Sequence, residues 1–321
     1  MTVRLLLDTD LGMGAPGSDI DDGFALALAV ADPDISLELV STVNGNTDVE
    51  TATRLTLELL DRLGSPHVPV ARGAAAPLLR TSPRTPAGAE PVLPPGAEPT
   101  GRVVSHAARQ LVERVMAEPG ELTIVAIGPL TNVALALALE PRMARAVRQI
   151  VVMGGVYLEQ TNVAAMPGEF NFWVDPEAAT MVLASGAPLR LVGLDVTRRV
   201  RLSRQDAAWL QGTGGSFAAF AADATDGWID HLARTVPGDE REQGSCALHD
   251  PLAVAAMTRP ELLTWREAHV EVGTDSERTR GVAVADLLTT EPAPEANARI
   301  AVDVDADAFR GHLLDRLRSL P

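Results

Sequence analysis

Lysine is missing from all 321 residues, so each of the 27 basic side chains is an arginine. A chain without an amine side chain cannot form a Schiff base, use an amine nucleophile or set a P-loop lysine on a phosphate. Cysteine is nearly missing too. Cys246 stands alone, which excludes an intrachain disulfide and a thiolate metal cluster and fits a reducing compartment. No apolar run approaches the ~20 residues of a membrane span. The opening MTVRLLLDTD is too short in apolar residues for a signal-peptide core, so a soluble cytoplasmic protein is expected. Positive charge is also in deficit: 43 acidic residues against 27 basic ones give −16. That balance disfavours nucleic acid and anionic membrane as partners. The densest basic run, Arg198, Arg199, Arg201 and Arg204, reads as a solvated face.

What is present is an ordinary globular composition, 46% hydrophobic and 22% charged, on a chain long enough to bury a sizeable core. Short Leu- or Val-rich runs alternate with longer amphipathic runs through the first 200 residues. This pattern predicts an α/β fold, a single domain over 1–321 with an open, mostly parallel (mixed) sheet flanked by helices. Strands are expected at Val3–Asp8, Leu37–Val43, His67–Ala71, Leu122–Ile127, Gln149–Met153 and Leu189–Gly193. Helices are expected at Asp22–Ala31, Val49–Leu63, Val103–Ala117, Asn132–Leu139 and Pro176–Ser185, the last with Asp175 as its N-cap. Ala74–Thr100 carries seven prolines and reads as a surface flap. Ser203–Arg234 reads as helical and Thr235–Ser245 as a polar loop. A helix near Asp250, two or three strands between Trp265 and Val304, and a helix at Ala306–Leu317 complete the expectation.

The densest chemical signal is LLLDTDLGMGAPGSDIDDGFALALA. Asp8 and Asp10 end the first strand, and Asp19, Asp21 and Asp22 stand at the start of the following helix. Five carboxylates so close repel one another unless a cation sits among them. With neither Cys nor His nearby, the set favours a hard, oxygen-liganded ion, Ca²⁺ before Mg²⁺. Helix capping accounts for Asp21 or Asp22 but leaves Asp8 and Asp10 unexplained at the carboxyl edge of a sheet, where ligands bind in open α/β folds. An Asp-x-Asp at this place also opens dehalogenase-type phosphatases. Leu11-Gly12 and the missing lysine disfavour that alternative.

Four more segments follow in order: NGN at Asn44–Asn46, AIGPLTN at Ala126–Asn132, VVMGG…EFNFWVDPEAA at Val151–Ala179, and HDPLAVA at His249–Ala255. Together with DTD…DIDD they strongly resemble the inosine-uridine preferring nucleoside hydrolases, from Leu5 to about Ala255. The resemblance implies a nucleoside hydrolase-like fold, a bound Ca²⁺, a nucleoside substrate and a homodimer or homotetramer. Carried residue by residue, it implies Asp10, Asp22, the Ile127 carbonyl and Asp250 as metal ligands. It further implies Asp21, Asn46, Met153, Asn162, Glu169 and Asn171 as substrate contacts, with Asn162 toward the 5′ side.

The chemistry is consistent with those types. Breaking an N-glycosidic bond builds positive charge on the sugar and negative charge on the departing base. Asp10 can take a proton from the attacking water, Asn171 can help pin the ribose, and His249 is the candidate donor to the base, touching substrate as it does so. A non-catalytic nucleoside-binding protein is the alternative from another class, but it would need neither base nor acid. Gly154-Gly155 reads as a strand-end turn, Asn44 as a turn residue, and Asp175-Pro176-Glu177 as a helix cap. Glu169 and Asn171 alternate with Phe170 and Phe172, an extended pattern that sets both polar groups on one side.

Two departures bear on the substrate. Met13–Gly17 lengthens the loop before the Asp pair and makes Asp19 a rival ligand. The flap lacks the His-Gly motif that family members often carry, and Asn162 to Glu169 is one residue longer than usual, so the preferred base stays open.

Overall fold

The computed structural model describes residues 2–80, 101–236, 238, 243–288 and 291–321. The expected flap therefore lies outside the described residues from position 81 to 100, as do positions 237 and 239–242 of the expected loop before Ser245.

The chain begins with β1 (Val3–Thr9), α1 (Asp21–Ala31), β2 (Ile35–Thr42), α2 (Val49–Arg62), β3 (Val70–Arg72), β4 (Val103–Val104) and α3 (Ala107–Ala117). Next come β5 (Leu122–Ala126), α4 (Thr131–Leu139), α5 (Met143–Ala146), β6 (Gln149–Met153), α6 (Phe170–Val174), α7 (Pro176–Leu183), β7 (Leu189–Val192) and α8 (Leu194–Thr197). A small antiparallel pair, β8 (Arg201–Ser203) with β9 (Ser245–Ala247), brackets α9 (Arg204–Gln211) and α10 (Ser216–Thr235). The chain ends with α11 (Asp250–Thr258), β10 (Leu263–Ala268), the hairpin β11 (Val270–Val272) and β12 (Ala283–Ala285), then β13 (Ala298–Val304) and α12 (Ala306–Leu317).

Among the described residues, nine strands form one sheet in the order β10-β13-β7-β6-β5-β1-β2-β3-β4. Every neighbouring pair is parallel except β10 with β13. Leu5 and Leu7 of β1 join the apolar layer on one face, with Phe24 and Leu28 of α1, while Leu6 joins the layer on the other face, with Leu111 and Val133. All three leucines are fully buried, each stabilising the fold by about 1.5–3 kcal/mol. Burial on both faces is why the strand reads as an unbroken apolar run.

From β1 the chain steps outward through β2, β3 and β4, then crosses back so that β5 lies on the other side of β1. This reversal leaves a crevice beyond the carboxyl ends of β1 and β5, the place where open α/β sheets bind ligands. Asp10 follows β1 there and Ile127 follows β5.

Four expectations need correction. The helix expected from Val103 starts at Ala107, because His106 caps it through Ala108 N at 3.3 Å and Val103-Val104 pairs instead with β3. The Ser203–Arg234 stretch is two helices, broken after Gln211, with Gly214 at φ 86°. Among the described residues, four strands, not two or three, lie between Leu263 and Val304. The Glu169–Phe172 stretch is not extended: Phe170–Val174 is helical, because both Glu169 oxygens cap the first turn.

Candidate active site

Asp10 is buried in the crevice, and its Oδ2 accepts from Asn46 N at 2.7 Å. Its Oδ1 is buried and, among the described residues, has no hydrogen-bond partner. Glycines make room for this carboxylate. A Cβ on Gly45 would overlap Oδ2, and one on Gly128 would lie 2.8 Å from Oδ1, closer than real Cβ atoms approach. Asn46 also donates its Nδ2 to Asp22 Oδ2 at 2.9 Å, so one residue joins Asp10 to Asp22. The other Asp22 oxygen accepts a short bond from Thr9 Oγ1.

The first turn of α1 meets the first turn of α11 in the crevice. Asp21 Oδ2 accepts from His249 N at 2.9 Å and from Asp250 N at 3.1 Å, and its Oδ1 accepts from Asp22 N at 3.1 Å. Ligand atoms of Asp21, Asp22 and Asp250 all lie within 4.8 Å of one another. Asp21, expected as a ribose contact, thus ties two helix starts together and belongs to the acidic cluster. The rival Asp19 is half-buried, outside that cluster, and turned onto Ile20 N at 2.7 Å.

The electrostatics follow from this crowding. Burial first, then the Asp22 charge, raises the Asp10 carboxyl well above its usual range. Burial first, then Asp21, pushes Asp22 up to about 7. Burial, followed by Asp21, Asp22 and Asp10, raises Asp250 strongly. Among the described residues no arginine forms an ion pair with any of these four. An all-oxygen donor set, mutual repulsion and a buried oxygen of Asp10 without a partner fit a hard divalent cation.

Asn171, on α6, donates its Nδ2 to the Ile127 carbonyl at 2.9 Å and the Met153 carbonyl at 3.1 Å. It thereby joins the ends of β5 and β6 and brings Met153 and Ile127 to the same crevice. Glu169 spends Oε1 on Asn171 N at 2.8 Å, and Oε2 on Gly155 N at 3.0 Å and Phe172 N at 3.1 Å. Burial raises its carboxyl to about 7 despite these donors. Gly155, at φ 82°, is the strand-end turn that presents its N–H to Glu169. Asn162 stands apart, exposed and at φ 58°. His249 precedes α11, and its Nδ1 lies 2.7 Å from Thr197 Oγ1.

Asp8 is not a free acid. It is wholly buried, and its Oδ1 accepts from Asn132 Nδ2 at 2.8 Å and, through a short bond, from Ser41 Oγ. Burial raises it to about 7. A residue so enclosed cannot serve as the phosphatase nucleophile. Asn132, in the AIGPLTN motif, also donates to Thr42 O at 2.9 Å and accepts from Ala74 N at 2.9 Å. Its role as a stitch across β1, β2 and the flap root has no local sequence signal. Asp175 caps α7 as expected, and beyond that accepts from Thr131 Oγ1 at 2.7 Å and Leu78 N at 2.9 Å.

In the basic run, Arg199 pairs with Asp303 and Arg204 with Asp226 and Asp230, whereas Arg198 and Arg201 are partly buried and donate to Gln160 O and to Ser245. A cleft of about 1110 Å³ lined by Arg148, Arg190, His269 and Arg299 opens at the other edge of the sheet, where β6, β7 and β13 begin. No described helix is long and apolar enough to cross a membrane.

Comparison with known proteins agrees with the crevice. The family model described as inosine-uridine preferring nucleoside hydrolase matches residues 5–311. The pyrimidine-specific ribonucleoside hydrolase RihA of Citrobacter koseri is 35% identical over 99% of this chain and 98% of its own. The probable uridine nucleosidase 2 of Oryza sativa subsp. japonica is 35% identical over 84% of this chain and 78% of its own. Among solved structures, the purine-preferring ribonucleoside hydrolase of Gardnerella vaginalis superposes with a TM-score of 0.85 at 28% identity, covering 98% of each chain. With its acidic crevice, its topology and these relatives in agreement, the chain belongs to the inosine-uridine preferring nucleoside hydrolase family, enzymes that act on N-glycosyl compounds.

Proposed function

We propose that this chain hydrolyses the N-glycosidic bond of purine and pyrimidine ribonucleosides in a Ca²⁺-dependent reaction, giving ribose and the free base. The observation that carries the reading is the buried Asp10 Oδ1, which among the described residues has no partner, set beside a carboxylate cluster that no described arginine neutralises. Breadth across both base classes is supported by relatives whose names divide between pyrimidine-specific and purine-preferring enzymes.

Asp10, Asp22, Asp250 and the Ile127 carbonyl would hold the ion. When bound, Ca²⁺ supplies Lewis acidity toward ribose hydroxyls and water, and offsets the acidic cluster. Asp10 Oδ1 accepts the proton of the water that attacks the anomeric carbon. As that C–O bond forms, the C–N bond breaks and its electron pair leaves with the base. His249 gives the base its proton. Asn171 and Glu169 form a braced wall beside the sugar, held by the backbone bonds described above, so little reorganisation accompanies the reaction.

The test is a panel of inosine, guanosine, uridine and cytidine, with free ribose measured in the presence of Ca²⁺. Ribose release from members of both base classes is expected. Tight nucleoside binding with no ribose formed would replace the enzyme with a binding protein.

A further inference from the structure

The four-residue turn α8 grips the loop that follows β6. Leu194 N donates to Gly155 O at 2.9 Å. Asp195, 7% exposed, accepts on Oδ2 from Tyr157 N at 2.8 Å, and on Oδ1 from Leu158 N at 2.8 Å and Glu159 N at 2.9 Å. Arg198, just past the turn, donates to Gln160 O at 3.1 Å. The two segments approach so closely that a Cβ on Gly193 would lie 2.8 Å from Gly155 O and from Tyr157 Cε2. Tyr157 folds back in turn, its hydroxyl donating to Gly154 O at 2.9 Å.

Both ends of this loop belong to the crevice wall. The loop leaves the wall at Met153, whose carbonyl accepts from Asn171, and returns to it at Glu169, whose Oε2 accepts from Gly155 N. Residues 157–160 lie in neither helix nor strand, so their backbone donors depend on a side chain brought from elsewhere. Asp195 is that side chain, and three N–H groups on one buried carboxylate are bonds of the strong, charge-assisted class. We propose that Asp195 is a positioning residue that preforms the sugar side of the crevice. By holding residues 157–159 it fixes the loop, and through Gly155 it fixes the wall of Glu169 and Asn171, before a nucleoside arrives. Binding then carries no cost of ordering that loop. This rests on Glu169 and Asn171 flanking the sugar in the proposed reaction.

The experiment measures kcat and KM for ribose release from inosine in Ca²⁺-supplied native enzyme, Asp195→Ala and Asp195→Asn, with hydrogen exchange read at residues 157–159 in the same proteins. Asp195→Ala loses three bonds, each worth about tenfold or more, so the ordered loop should fall to about one-tenth of the molecules or fewer. KM should then rise at least about tenfold. Because the bound complex still holds the ordered loop, kcat should stay within about threefold of native. Exchange at 157–159 should quicken while that of β6 stays slow. Asp195→Asn keeps an oxygen for Leu158 N and Glu159 N but not for Tyr157 N, so its KM should lie between the other two. It also carries the comparison if Asp195→Ala does not fold. Native turnover with an unchanged KM in the variants overturns the Asp195 assignment and leaves the reaction in place. A loss that falls mainly on kcat, or a raised KM without faster exchange at 157–159, overturns it equally. A native enzyme that releases no ribose overturns both.

Discussion

Replacing Asp250 with Asn should stabilise the metal-free protein while removing its response to Ca²⁺. Two like charges at the 4.8 Å limit of the Asp21, Asp22 and Asp250 cluster repel by about 3.5 kcal/mol at an effective dielectric of about 20. The cluster partly escapes this by holding protons, since burial and its neighbours raise Asp250 well above the usual carboxylate range. Removing one charge therefore gains less, about 1–3 kcal/mol. For 321 residues the unfolding entropy is about 0.7 kcal/mol/K, so that gain lifts Tm by about 2–4 °C. In the native chain, Ca²⁺ at about 100 times its Kd adds about 2.7 kcal/mol, or about 4 °C on the same entropy. Differential scanning calorimetry with and without Ca²⁺, on the native chain and Asp250→Asn, reads all four values. A metal-free variant less stable than the native chain, or one that keeps the full Ca²⁺ response, would refute the charge-crowding argument.

Asn132→Ala removes three buried bonds, one of them to the buried Asp8, so urea unfolding should show about 2–4 kcal/mol of lost stability. Gly45→Ala sets a methyl group against Asp10 Oδ2; nucleosidase activity should fall at least about tenfold, because sub-ångström misplacement of a reacting group is costly. Arg280 is 2% exposed and grips Glu177 at 2.7 Å, so Arg280→Met, which leaves that acid unpaired, should cost about 3–5 kcal/mol in thermal or urea unfolding.

The first strand, the acid-led first helix and the crevice between them were legible because they are local. An unbroken apolar run marks a strand buried on both faces, and paired aspartates just past its carboxyl end sit where a sheet of this kind binds its ligand. The Glu169–Phe172 stretch misled because two alternations over four residues also fit one helical turn. There the decisive fact is that a glutamate caps its own following turn and also reaches Gly155, fourteen positions away. Asn132 and Thr197 were illegible for a similar reason. Asn132 meets Asp8 across 124 positions and Thr197 meets His249 across 52, and neither residue type in its local setting announces that contact. The ordering of Asp21 was half legible: its place in the acidic cluster follows from spacing, whereas its capping of α11 exists only in the folded chain.

The most direct test starts from protein stripped with a chelator, in phosphate-free buffer with inosine. Adding Ca²⁺ should start release of hypoxanthine and free ribose in equal amounts, and Asp10→Asn should abolish it. Release that proceeds at full rate without a divalent ion, or that yields no free ribose once Ca²⁺ is restored, would contradict the account.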